Sequence, residues 1–135
     1  MDKEVIDVII KKLKRFNPEF IYIFGSYASG KLRKESDIDI AFFSLNKLSS
    51  FDIFLCAQEI SLQLKREVDL IDLKNSSTVF QNQVVRTGKV IYEKNRDLRY
   101  QFEVLTIKKY IELNSWRKEQ LENYNVDDFL KNKND

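Results

Sequence analysis

Histidine is absent from this sequence, and with it goes the commonest general base and metal ligand near neutral pH. Ser-His-Asp and Cys-His mechanisms, histidine-rich zinc hydrolases and histidine-dependent ribonucleases are excluded. Any chemistry here must run on carboxylates. Cysteine occurs once, as Cys56, which rules out an internal disulfide and a zinc cluster; its neighbours (IFLCAQEI) suggest a buried helical position. An excess of charge of one sign is also lacking. The formal net charge of +2 gives no global basic field for nucleic acid or a membrane surface, so neither direct nucleic-acid binding nor a membrane partner is expected. No apolar run reaches membrane-spanning length and no signal peptide opens the chain, so a reducing cytoplasm is the expected setting.

What is present is the balance of a globular protein: 43% hydrophobic and 33% charged residues in a chain of 135. That length makes one domain and leaves no room for a second, substrate-enclosing one. There is no internal repeat and no low-complexity linker. Residues 3–16 place Val5, Ile6, Ile9, Ile10, Leu13 and Phe16 at helical spacing, stopped by Asn17-Pro18. Residues 19–24 read as a buried strand, 37–43 (DIDIAFF) as a second, and 51–65 as a helix entered from Ser49-Ser50. Residues 67–73 (EVDLIDL) read as a third strand, 77–87 as a short helix closed by Gly88, and 89–93 (KVIYE) as a short last strand. One long helix follows over 95–124, then a polar tail over 125–135 (NVDDFLKNKND) expected to fray. The fold class is α/β: a small mixed sheet of three to four strands flanked by helices, with 1–124 as a single domain.

The stretch 25–40, GSYASGKLRKESDIDI, spends strand positions on charge. Side chains alternate along a strand, so Asp37 and Asp39 share one face while Ile38 and Ile40 point to the core. Their Cα atoms lie roughly 6.5–7 Å apart. Two carboxylates so close repel unless a cation lies between them, and hard oxygen ligands favour Mg²⁺ or Mn²⁺. An Asp-x-Asp pair of this kind can bridge a two-metal site for phosphoryl transfer. Upstream, Gly25 lets backbone approach a ligand, Ser26 offers a hydroxyl and an N–H, and residues 26–29 can begin a helix whose N-terminus attracts anions. Gly-Ser alone is as well explained by a strand-to-helix turn. Its coupling through eleven residues to Ser36-Asp37-x-Asp39 favours function.

GSYASGKLRKESDIDI resembles the signature of the nucleotidyltransferase superfamily related to DNA polymerase beta, Gly-Ser, a spacer, then Ser-Asp-x-Asp. Size and the wording FGSYASG…SDIDI are most similar to the minimal nucleotidyltransferases, many of which serve as antitoxins beside HEPN-domain toxins. The resemblance implies a nucleotidyltransferase-like fold, with Asp37 and Asp39 as metal ligands and Gly25, Ser26 and Ser36 at the nucleotide. It further implies a third carboxylate on the neighbouring strand, matched by Asp69 of VDL, which binds the metal and helps position or deprotonate the attacking hydroxyl. Asp72, three residues on, faces the other way and reads as a solvated charge at a strand end. The implied donor is ATP, and the implied acceptor a tyrosine of a HEPN toxin, silenced by the added AMP. One departure stands out: relatives often carry arginine where Ser29 stands. Lys31, Arg33 and Lys34 can supply that positive charge, or equally form a solvated basic turn.

Two rivals remain at this level. A small-molecule nucleotidyltransferase of the antibiotic-modifying type shares the metal site but needs a substrate pocket. A binding-only antitoxin needs no catalysis, yet has no reason to retain mutually repelling carboxylates. The long helix bears on the partner. At about 100° per residue, Leu98, Phe102, Leu105, Leu113 and Trp116 form one apolar stripe, and Tyr100, Val104, Ile107, Tyr110 and Ile111 another on roughly the opposite side. One stripe can pack on the core; the other needs a partner or a place inside the fold.

Overall fold

The computed structural model describes residues 2–28 and 37–133, without the side chains of residues 26, 27 and 124–133. Ser36, Ser29 and the basic residues Lys31, Arg33 and Lys34 thus lie outside the described residues. The chain runs α1 (Lys3–Leu13), a 3-10 turn (Lys14–Phe16), β1 (Pro18–Phe24), α2 (Gly25–Ala28), β2 (Ile38–Ser44) and α3 (Ser50–Leu64). It continues as β3 (Val68–Asp72), a second 3-10 turn (Leu73–Asn75), α4 (Thr78–Thr87), β4 (Lys89–Glu93) and α5 (Arg96–Lys133).

Local chemistry sets these boundaries. Asp2 caps α1 by accepting from the Glu4 N–H, Ser49 caps α3 by accepting from the N–H groups of Phe51 and Asp52, and Ser77 caps α4 through the Phe80 N–H. Asn17, with φ of 48°, takes the left-handed turn that leads into β1.

The four strands form one mixed sheet in the order β3-β2-β1-β4. β1 pairs antiparallel with β2 and β4, while β2 and β3 are parallel; the α3 crossover supplies the long return a parallel pair requires. β1 lies inside the sheet and is buried at all seven positions, which is why FIYIF, from Phe20 to Phe24, reads as a continuous apolar run rather than an alternating one. On one face Ile21, Ile23, Ile38 and Ile40 pack with Ile9 and Leu13 of α1 and Cys56 and Ile60 of α3. On the other, Phe20, Tyr22, Phe24 and Ala41 pack with Val84 of α4, Leu98 and Phe102 of α5, and Leu73. Phe20 stacks on Phe43 at 5.0 Å between ring centroids, and the Phe102 ring lies 5.3 and 5.2 Å from the two.

The backbone of α5 is one helix to Lys133, carried beyond 124 through the segment expected to fray. Its two apolar stripes also divide differently from the sequence expectation. Leu98, Phe102 and Leu113 turn at least partly inward, but Leu105 and Trp116, assigned to the same stripe, are 52% and 59% exposed. The most buried residue on this stretch of helix is Thr106, so the contact centres on Phe102 and Thr106 and rotates Leu105 to solvent. Tyr100, Val104 and Ile111 are exposed, whereas Ile107 and Tyr110 are half-buried. The outward apolar face is not sandwiched within the fold.

Candidate active site

The sheet brings three strand positions side by side. β1 ends at Phe24, which pairs with Asp39 of β2, and Asp39 pairs in parallel register with Asp69 of β3. Alternation puts Asp39 and Asp69 on the same face, the one that carries Ala41 and Ile71. Directly after Phe24 the chain turns at Gly25, whose φ of 73° lies in the left-handed region. A Cβ on Gly25 would drive into Oδ2 of Asp39. Only glycine allows the backbone to fold over this carboxylate. The turn continues into α2, whose Ala28 is buried against the sheet.

Asp39 is half-buried, while Asp37 and Asp69 are exposed. Burial, the charge of Asp69, a hydrogen bond shared with Asp69, and the charge of Asp37 together hold the Asp39 carboxyl above its ordinary value of 3.8. Two acidic side chains so disposed call for positive charge between them. A hard divalent cation fits this all-oxygen donor set. Asp39 and Asp69 form a directly coupled pair, with Asp37 close enough to be felt electrostatically. Among the described residues no three such side chains stand preassembled as a metal cage. Of the other residues singled out in the sequence, Ser26 lies within α2 as backbone, and Ser36 is outside the described residues.

Asp72 has a different job from the solvated strand-end charge expected of it. Its carboxylate accepts from the Lys74 N–H at 3.2 Å and from Asn75 Nδ2 at 2.7 Å, capping the 3-10 turn that follows β3. It is paired with Phe42, three register positions beyond Asp69.

A feature the sequence reading passed over adjoins the site. A groove of about 480 Å³ runs along β3 from Val68 through Asp69 to Asp72, walled on the other side by Ser50, Ile53, Phe54, Ala57 and Gln58 of α3. The outer face of α3 is itself apolar: Phe51 is 66% exposed, Phe54 58%, and Leu62 79%. The signal was there in SFDIFLCAQEISLQL, where Phe51, Leu55 and Leu62 repeat at helical spacing beside the inward-facing set Cys56, Ala57 and Ile60.

Comparison with known proteins meets this geometry from the other direction. Residues 7–97 match the family described as Polymerase beta, Nucleotidyltransferase. The protein adenylyltransferase MntA of Shewanella oneidensis is 39% identical over 111 residues, which cover 81% of this chain and 79% of that protein. The MntA of Aphanizomenon flos-aquae is 28% identical over 122 residues, covering 83% and 80%. A crystal structure of a toxin-antitoxin with AMP-PNP matches at a TM-score of 0.78 and 35% identity, over 87% of this chain and 96% of that one. The MNT antitoxin in complex with tri-AMPylated Shewanella oneidensis HEPN toxin matches at 0.76 and 33%, over 91% and 98%. The site, the family match over both of its aspartate strands and the extent of these likenesses lead to one assignment: the chain belongs to the polymerase beta nucleotidyltransferase family, beside the MntA protein adenylyltransferases, and is a nucleotidyltransferase.

Proposed function

We propose that the chain is an antitoxin that transfers AMP from ATP to a tyrosine hydroxyl of a HEPN-type toxin and silences it. The observation that carries this is the coupled Asp39–Asp69 pair beneath Gly25, in a chain 39% identical to a protein adenylyltransferase. Asp37, Asp39 and Asp69 are the metal ligands, with Mg²⁺ or Mn²⁺ as the cation. Held by these carboxylates, such a cation would supply charge neutralisation at the triphosphate. Gly25 admits the nucleotide's phosphates to the backbone; Ser26 and Ser36 contact them. Asp69, exposed at the edge of the site, faces the incoming hydroxyl and accepts its proton. The bond from the tyrosine oxygen to the α-phosphorus forms as the bond from that phosphorus to the pyrophosphate oxygen breaks, leaving AMP on the acceptor.

The exposed apolar face of α5, with Tyr100, Val104 and Ile111, is the surface on which the body of the toxin docks. Incubating the chain with α-labelled ATP, Mg²⁺ and a HEPN-type toxin tests the proposal. Label should pass to a tyrosine of that protein, and EDTA should prevent it. Transfer to a small molecule in place of the protein, or none at all, would overturn it.

A further inference from the structure

β3 is an edge strand. In its parallel register with β2, the Ile38 N–H donates to the Glu67 carbonyl, so the odd-numbered residues of β3 turn their backbone groups toward β2. The N–H and C=O groups of Val68 and Leu70 therefore point to the free edge. Among the described residues no strand pairs with that edge. A free edge of this kind is a template for another strand. Here it is flanked by an apolar wall, Ile53, Phe54 and Ala57 of α3, with Phe54 more than half exposed.

We infer that the free edge of β3 and the groove beside it bind the acceptor segment of the protein substrate as an added strand, which carries its hydroxyl to Asp69. This rests on the protein-modifying function proposed above. The occupant is identified by continuity with the site: Asp69 lies within the groove and also faces Asp39 across the sheet. A strand laid on β3 has alternate side chains on the Asp39–Asp69 face of the sheet, where transfer occurs, and the others toward Phe54. Backbone pairing of this type accepts many sequences, with selection resting on the one or two side chains that meet the apolar wall. The proposed division of labour is that α5 holds the body of the partner and β3 presents its tyrosine.

Amide exchange on the wild-type chain with the HEPN-type partner, without ATP, tests the inference directly. The Val68 and Leu70 amides, unpaired in the free chain, should slow by at least ~10-fold in the complex. In steady-state transfer, Phe54→Glu should raise KM for the partner by at least ~10-fold and leave KM for ATP unchanged. Leu62→Glu, on the same outer face of α3 but away from the groove, should behave as wild type. A complex that forms without protecting these amides overturns the inference, as does Phe54→Glu with an unaltered KM. Protection that appears on concentrating the chain alone would assign the edge to a second copy and also overturn it. If the wild type labels no HEPN-type protein, the proposed function itself falls; normal labelling by Phe54→Glu removes only the docking edge.

Discussion

At the scale of single residues, Asp39 is half-buried, beside the charge of Asp69 and within the field of Asp37. A carboxyl raised above its ordinary value penalises the ionised folded state. Its stabilising contribution is present below pH 3.8 and is lost as pH rises through the folded value. At neutral pH without a divalent cation, Asp39→Asn should therefore melt at the wild-type temperature or higher, and Mg²⁺ should raise the melting temperature of the wild type more than that of the variant. Transfer should fall at least ~100-fold, the equivalent of ~3 kcal/mol of transition-state stabilisation; near-normal transfer would sink the metal assignment. The two aspartates of β3 should separate cleanly. Asp69→Asn should disable transfer as severely as Asp39→Asn, whereas Asp72→Ala should cost about 1 kcal/mol of stability through the lost cap and leave transfer nearly intact. Denaturant melts and labelled-ATP assays on the same preparations check both halves. The face that Asp39 takes follows from alternation along β2, which is geometric, whereas Asp37, expected inside the strand, stands just before its first residue Ile38, and the choice of Asp69 came from the family resemblance. The cap made by Asp72 was not legible, since it depends on the 3-10 turn formed after the strand ends.

At the scale of elements, the sheet was the most legible part and α5 the least. The segment from Phe20 to Phe24 announced itself as an apolar run because β1 is covered on both faces, whereas the parallel pairing of β2 and β3 was not read from the sequence, which specified only a small mixed sheet. No glycine or proline follows Gly88, so nothing stops α5 once it has nucleated, and propagation adds a hydrogen bond per residue even after the apolar pattern fades. Its facing was misjudged because a polar residue, Thr106, sits at the centre of the contact, where a hydrophobic pattern cannot show it. What fixes α5 on the sheet beyond that contact is a polar chain. The Tyr22 hydroxyl donates to Glu103 at 2.6 Å, Arg99 donates to Glu103 at 2.7 Å and to Glu93 at 2.6 Å, and Arg96 completes the chain to Glu93 at 2.9 Å. Burial, then the hydrogen bond to Glu103 and its charge, push the Tyr22 phenol well above its ordinary value of 10.0. The folded state thus resists a deprotonation that the unfolded chain undergoes, so stability is fully present below pH 10 and declines above it. Tyr22→Phe should cost about 1 kcal/mol at neutral pH and flatten that alkaline decline. Chemical denaturation of both proteins between neutral pH and the alkaline range measures the difference in slope; parallel curves would mean that Tyr22 does not titrate with unfolding.

For the whole molecule, the proposed function has two separable parts, holding a toxin and modifying it. The carboxylate pair opens on an exposed edge, where Asp69 of β3 meets solvent, so a partner laid there can supply walls to the site. The outward face of α5 is the apolar surface best placed to hold it: Tyr100, Val104 and Ile111 are 50%, 56% and 54% exposed. Ile107, grouped with them on helical spacing, is half-buried and is a poorer probe because its replacement would also disturb the fold. Replacing Tyr100 and Val104 together with glutamate should weaken association with a HEPN-type partner by at least ~100-fold, since each change leaves a charge in an otherwise apolar contact. The melting temperature should barely move, because neither side chain is buried in the free chain. Asp37→Asn should show the opposite pattern, binding the partner as tightly as wild type but leaving it unmodified. Titrating expression of the two variants against a fixed dose of toxin in growing cells then separates the contributions. If transfer is what neutralises, Asp37→Asn should rescue growth only when it is present in stoichiometric excess, whereas the wild type should do so at sub-stoichiometric levels because one molecule can modify many. Equal protection by both across the whole range would make catalysis dispensable and leave occlusion as the mechanism.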